Sequence, residues 1–180
     1  MALLTNNFFE LFGLPVAFGI DKSALKATFL GLQKQHHPDN ADNIAQAEQN
    51  TALINHAFDI LNRDDSRAIY LLELSGVAFH SDKTIADEPF LMQMMSYRME
   101  LEDAIFDNDK HTISQIANNI NTLMNQTADN FDSVYQAKDW QTAQIIAQKL
   151  RFLGKLHDDM TTALSKSSSP NDGQDDDLYV

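Results

Sequence analysis

The chain has 180 residues, 26 Asp and Glu against 13 Lys and Arg, a formal net charge of −13, and no cysteine. A chain this acidic repels phosphate backbones, so nucleic acid is not an expected partner. The missing thiols exclude disulfides, Cys-ligated zinc, thiolate catalysis and a cluster held on the protein's own sulfurs. With 43% apolar and 9% aromatic residues the chain has the material for one domain or two small ones. No run of about 18 apolar residues occurs, so no membrane partner is expected. Residues 1–7 carry neither positive charge nor a long apolar stretch, a poor secretion signal, and a cytoplasmic location is the expectation.

Pro and Gly are rare, at 4 and 6 residues, and no segment sustains the alternation of a strand. The predicted fold class is all-α. A short first helix is expected from about Asn7 to Phe12, ending at Gly13-Leu14-Pro15. Asp21 reads as the N-cap of the next helix, in which Leu25, Phe29 and Leu32 make one apolar stripe. Pro38 must stop that helix, because it lacks an N–H and disfavours helical geometry at His37. After a polar stretch from Asp39 to Gln46, a matching stripe follows: Ala47, Thr51, Ile54, Phe58 and Leu61. The two helices can therefore pack as an antiparallel hairpin. A further apolar helix is expected from Ser66 to Leu74, stopping at Ser75-Gly76.

Residues 77–88 read as a linker. Three longer helices then fit, at about 89–107, 110–137 and 139–164, with Asp109 and Asp139 as N-caps. Connections of two or three residues favour an antiparallel three-helix bundle. In the first of these helices Phe90, Met94, Tyr97, Leu101 and Ile105 form a core stripe, and Leu91, Met92, Met95 and Met99 a second. A bundle helix needs only one core-facing stripe, so the second is a candidate contact surface, and methionine suits an adaptable one. Residues 166–180, rich in Ser and Asp, read as a disordered acidic tail.

The triplet His37-Pro38-Asp39, lying between two amphipathic helices and preceded by a short one, resembles the J-domain of DnaJ-type co-chaperones. Further motifs narrow the resemblance: Phe8-Phe9-Glu10-Leu11-Phe12-Gly13-Leu14-Pro15, Arg67-Ala68-Ile69-Tyr70-Leu71-Leu72, Phe90-Leu91-Met92 and Lys149-Leu150-Arg151-Phe152-Leu153. Together they resemble the HscB-type co-chaperones of iron–sulfur cluster assembly. The resemblance covers about residues 7–165 and implies a J-domain at 1–76 and a scaffold-binding bundle at 89–165.

The resemblance also implies two partners. One is an HscA-type, DnaK-class chaperone, met by His37, Pro38, Asp39, Lys26 and Lys34, whose ATPase would be stimulated. The other is an IscU-type cluster scaffold, met by Leu91, Met92, Met95, Ser96, Met99, Asp103 and Phe152. The chain itself would then be no enzyme and would need no cofactor. It departs from the family at Asn40, where a Lys is common, and at Ser96 and Met99, where acidic residues are common. The helix before the triplet carries only Lys22, Lys26 and Lys34, so electrostatic steering should be weaker than in relatives. The extra apolar turn Leu71-Leu72 suggests that its helix packs on more than the hairpin. Two alternatives remain at this point: a J-protein for a different client, and a metal-dependent hydrolase built on His36, His37 and Asp39.

Overall fold

A computed structural model describes residues 7–37, 39, 43–80 and 85–168, with side chains as far as Ser165. Among them are seven helices and no strand: α1 Phe8–Leu11, α2 Lys22–Gln35, α3 Ile44–Asn62, α4 Asp64–Leu74, α5 Glu88–Phe106, α6 Lys110–Gln136 and α7 Trp140–Ser168. The predicted all-α class holds. Pro38 and Asn40 lie outside the described residues, as do 169–180, where most of the acidic tail falls.

The caps explain most boundaries. Asp21 Oδ1 accepts from the N–H groups of Ser23 and Ala24, and Asp109 and Asp139 cap α6 and α7 in the same way. A hydrogen bond from the Thr112 hydroxyl holds the Asp109 carboxyl below its ordinary range, and one from Thr142 does the same for Asp139. α3 starts earlier than its apolar stripe suggests. Asn43 Oδ1 accepts from Gln46 N–H at 3.0 Å, and the helix begins at Ile44 inside the expected polar stretch. The cause is a cap lying ahead of the stripe, which hydrophobic periodicity does not report.

Four helices end with a residue of positive φ at the turn: Gly13, Gly76, Asn108 and Lys138. After α6, Lys138 N–H reaches Tyr135 O and Asp139 N–H reaches Val134 O, both at 3.0 Å, which closes the helix in the Schellman manner. Lys138 pays a steric penalty that glycine would not. Lys138→Gly is therefore expected to raise stability by about 0.5–1 kcal/mol in urea unfolding; a loss of stability would contradict this account of the turn.

The described chain forms two compact units, one combining residues 1–84 with 126–151 and the other combining 85–125 with 152–180. The long helices α6 and α7 contribute to both, so the units cut across the expected boundaries at 76 and 89. The first unit packs α2 against α3 through Leu25, Ile54 and the stacked pair Phe29–Phe58, whose ring centres are 4.0 Å apart. On α4, Leu71 and Leu72 are fully buried in the same core as Phe131 of α6 and Ala147 and Leu150 of α7. Tyr135 Oη also donates to Leu71 O and lies 2.8 Å from Ser75 Oγ. The extra apolar turn thus packs beyond the hairpin, on the distal part of α6 and the proximal part of α7. Residues 77–80 are strapped to α7 by Gln144 to Ala78 O and Gln148 to His80 O.

The second unit has its own core: Phe90, Met94, Leu101 and Ala104 of α5, Ile113, Ile116 and Ile120 of α6, and Leu153, Leu156 and Met160 of α7. One expected core position is corrected. Ile105 is 46% exposed, and Ala104 takes its place. Ala104 lies in line with Leu101 on the buried side of the last turn, whereas Ile105 and the next residue, Phe106, which is 91% exposed, turn away from it.

Candidate functional site

Two regions gather the residues singled out from sequence. They lie in different units, and each is built locally.

The first is the end of α2. His36 is the last residue held by the helix, its N–H donating to Leu32 O. Its own carbonyl has no intrahelical partner; Thr51 Oγ1, from α3, donates to it at 3.1 Å. The His36 ring is engaged as well. Asn50, only 4% exposed, places its Nδ2 at 3.2 Å from His36 Nδ1, and its Oδ1 accepts from Gln46 Nε2. The helix end is therefore fixed to α3 by polar contacts on both backbone and ring.

Beyond it, His37 and Asp39 are open to solvent, with side chains 56% and 85% exposed. Asp39 N–H donates to His37 Nδ1 at 3.2 Å, and Asp39 Oδ2 lies 3.5 Å from the same nitrogen. His36 turns to Asn50 while His37 turns to Asp39. Among the described residues no group of three His, Asp or Glu side chains is placed to hold a metal ion.

Lys26 and Lys34 stand exposed on α2, two turns apart. Between them is Leu30, 55% exposed. One surface groove joins Lys26, Phe29, Leu30 and Phe58, and a second joins Leu30, Lys34, His37 and Thr51. Leu30 is thus the centre of a face running from Lys26 to His37, which sequence reading missed; its signal was an apolar residue one turn from each lysine and off the core stripe. Lys22, by contrast, pairs with Asp64 at 3.0 Å and serves the fold.

That pairing belongs to a buried cluster under the hairpin. Arg67, 3% exposed, donates to Phe18 O at 2.7 Å, to Leu61 O and to Asp64 Oδ1, and its guanidinium lies over the Phe18 ring. Burial alone would raise the Asp64 carboxyl, but the charges of Arg67 and Lys22 outweigh it and hold the group below its ordinary value. Tyr70 closes the other side. Its Oη accepts from Phe8 N–H at 2.9 Å while its ring stacks on Phe8. Arg67 and Tyr70 place α1, α3 and α4 around the base of α2.

The second region is α5. At about 100° per residue, Met92, Met95 and Met99 point opposite the buried line of Phe90, Met94 and Leu101. They are 66%, 65% and 63% exposed. Ser96 and Asp103 are exposed on the same face, and Leu91 is half-buried at its edge. Phe152 of α7 is 39% exposed and meets Phe90 edge-on at 6.1 Å. Met95 and Phe152 rim a groove floored by Met94 and Leu156, with Arg98 and Lys155 at its sides. Arg98 is fixed there by Asp159 of α7 at 3.0 Å. The structure thus brings Met95 and Phe152 to one groove and carries Met92 and Met99 along the outer helix face. Asp103 ends that face about 18 Å from Leu91. Lys155 stands near Phe152 in the sequence, but its convergence with Arg98 has no local signal, because the two meet only once α5 and α7 pack.

Relatives agree with this architecture. Residues 7–70 match the DnaJ domain, and residues 86–161 match the HSCB C-terminal oligomerisation domain. A co-chaperone protein HscB homolog of Acinetobacter baylyi is 40% identical over 157 residues, spanning 87% of this chain and 90% of that protein. An HscB homolog of Acinetobacter baumannii is 38% identical over 158 residues, with the same coverage. The solved chaperone HscB from Vibrio cholerae superposes with a TM-score of 0.74 at 30% identity, covering 89% of this chain and 99% of that one. Human co-chaperone HscB shares the fold, with a TM-score of 0.77 at 24% identity over 92% of this chain and 85% of its own. The chain belongs to the HscB family of J-domain co-chaperones.

Proposed function

We propose that this co-chaperone binds an IscU-type iron–sulfur scaffold through the α5 face and presents it to an HscA-type, DnaK-class chaperone, whose ATPase it stimulates through the end of α2. The cluster is cargo on the scaffold, and the chain itself acts as a regulator. The α5 face carries the reading: three methionines about two-thirds exposed, opposite a complete core, beside a phenylalanine. Exposed apolar surface of this extent marks a protein contact. Leu91, Met92, Met95, Ser96, Met99, Asp103 and Phe152 would make that contact, and Lys155 would favour an acidic or carbonyl-rich partner segment, with Arg98 already paired to Asp159.

At the other region, His37, Pro38, Asp39, Lys26 and Lys34 would meet the chaperone, with Leu30 as an apolar anchor between the lysines. Asp39 can accept a charge-assisted bond from a partner Arg. With only two lysines on this face, affinity should depend on salt less than in a strongly basic relative.

The test is a steady-state ATPase assay with an HscA-type chaperone, with and without an IscU-type scaffold. Stimulation is expected from this protein alone, and more when the scaffold is present. His37→Gln should abolish stimulation and leave scaffold binding intact. Full stimulation by His37→Gln would remove the chaperone role, and stimulation without any scaffold binding would point to a different client.

A further inference from the structure

We infer that Thr51 and Asn50 of α3 are positioning residues for the chaperone-facing loop, acting through His36; this rests on the chaperone role proposed above. A helix C-terminus leaves its last carbonyls without intrahelical partners, and the His36 carbonyl is one of them. That carbonyl belongs to the peptide plane joining His36 to His37, so whatever fixes it fixes the direction in which the chain enters the His37-to-Asp39 turn. Thr51 Oγ1 fixes it, at 3.1 Å. Asn50 fixes the ring of the same residue, at 3.2 Å, and is itself held by Gln46 one helical turn earlier.

The burial pattern is unusual for a role in the fold alone. Asn50 is 4% exposed, whereas His37 and Asp39, beyond the residue it holds, are open to solvent. Buried polar groups specify one arrangement by leaving competing ones unsatisfied. The apolar hairpin core of Leu25, Phe29, Ile54 and Phe58 aligns α2 with α3 but makes no directed contact to the His36 peptide. Thr51 also borders the groove that holds His37 and Lys34, so the clamp and the contact surface are adjacent.

Loosening the clamp populates loop conformations that the chaperone does not accept. The apparent affinity then falls by the fraction of competent molecules. The net worth of one such hydrogen bond sets the scale, roughly a three- to tenfold rise in the concentration giving half-maximal ATPase stimulation.

The experiment compares Thr51→Val, which keeps shape and loses the hydroxyl, with Thr51→Ser, which keeps the hydroxyl. Both are assayed in the full chain by ATPase titration, scaffold binding and thermal melting. Thr51→Val should shift the half-maximal concentration upward with scaffold affinity unchanged, and Thr51→Ser should restore it. Asn50→Leu should shift it in the same direction. Overlapping titrations for wild type and Thr51→Val overturn the inference while leaving the chaperone role standing. A shift that tracks the melting temperature in all three variants, serine included, also overturns it, as a purely structural effect. A wild-type chain that stimulates no HscA-type chaperone removes both readings.

Discussion

Replacing Met92, Met95 and Met99 together by Ala is expected to weaken scaffold binding on the order of a hundredfold. Stability should stay within about 0.5 kcal/mol of the parent. The two halves of this expectation rest on the same observation. Each methionine is nearly two-thirds exposed in the free protein, so truncation leaves no cavity, and Ala is a better helix former than Met. The side chains contribute to binding only when a partner covers them. A buried apolar anchor typically accounts for 1–3 kcal/mol, and neighbours on one face add incompletely. Two to three kcal/mol is therefore a realistic total, about a hundredfold in affinity. Isothermal titration against the scaffold, with urea unfolding as control, measures both. Unchanged affinity would assign the face to another partner. A large loss of stability would mean that the methionines are core after all.

Phe152 belongs to the same surface but makes a poorer probe. It meets Phe90, which is 8% exposed, edge-on. Its removal would disturb the second unit's core as well as the groove, and the two effects would be hard to separate. The same applies to Leu91, half-buried at the edge of the face.

What was readable in advance follows from the range of each interaction. Local signals were read well. Asp21, Asp109 and Asp139 cap helices as their side chains require, and Gly13 and Gly76 end helices where a positive φ is needed. The surplus methionine stripe was visible because helical periodicity alone separates two faces. Contacts between elements were not. Ile105 fits the apolar repeat yet is exposed, because whether a neighbour covers the last turn of α5 depends on the path of the packed helices. Thr51 was read as part of a core stripe, but its hydroxyl serves His36 across the hairpin. Arg98 and Lys155 are 57 residues apart in sequence and share a groove only when α5 meets α7.

The strongest case of a contact hidden from sequence is Arg67, an arginine within an apolar helix. Arg67→Ala is expected to destabilise the first unit by about 3–5 kcal/mol, a large fraction of the stability of an ordinary domain. The guanidinium answers three acceptors at once: the carbonyls of Phe18 and Leu61 and the carboxylate of Asp64. Truncation would remove the donor from both carbonyls and leave the Asp64 carboxylate only Lys22 as a cation, and unsatisfied buried groups cost more than the bonds they lose. Arg67→Lys should recover only part of the loss, since an ammonium lacks the planar fork that reaches separate acceptors. The acid dependence identifies the cause. Asp64 has a lowered folded-state pKa, so its contribution is full above the ordinary carboxylate range and is lost as pH falls through the folded value. In Arg67→Ala the largest opposing charge is gone while burial still raises the carboxyl. That share of the acid sensitivity should therefore shrink or reverse. Urea unfolding followed at pH 7 and at about pH 3–4 separates the two outcomes. A variant as stable as the parent at pH 7, or one with the parent's acid profile, would show that the Arg67–Asp64 pair does not hold α4 beneath the hairpin.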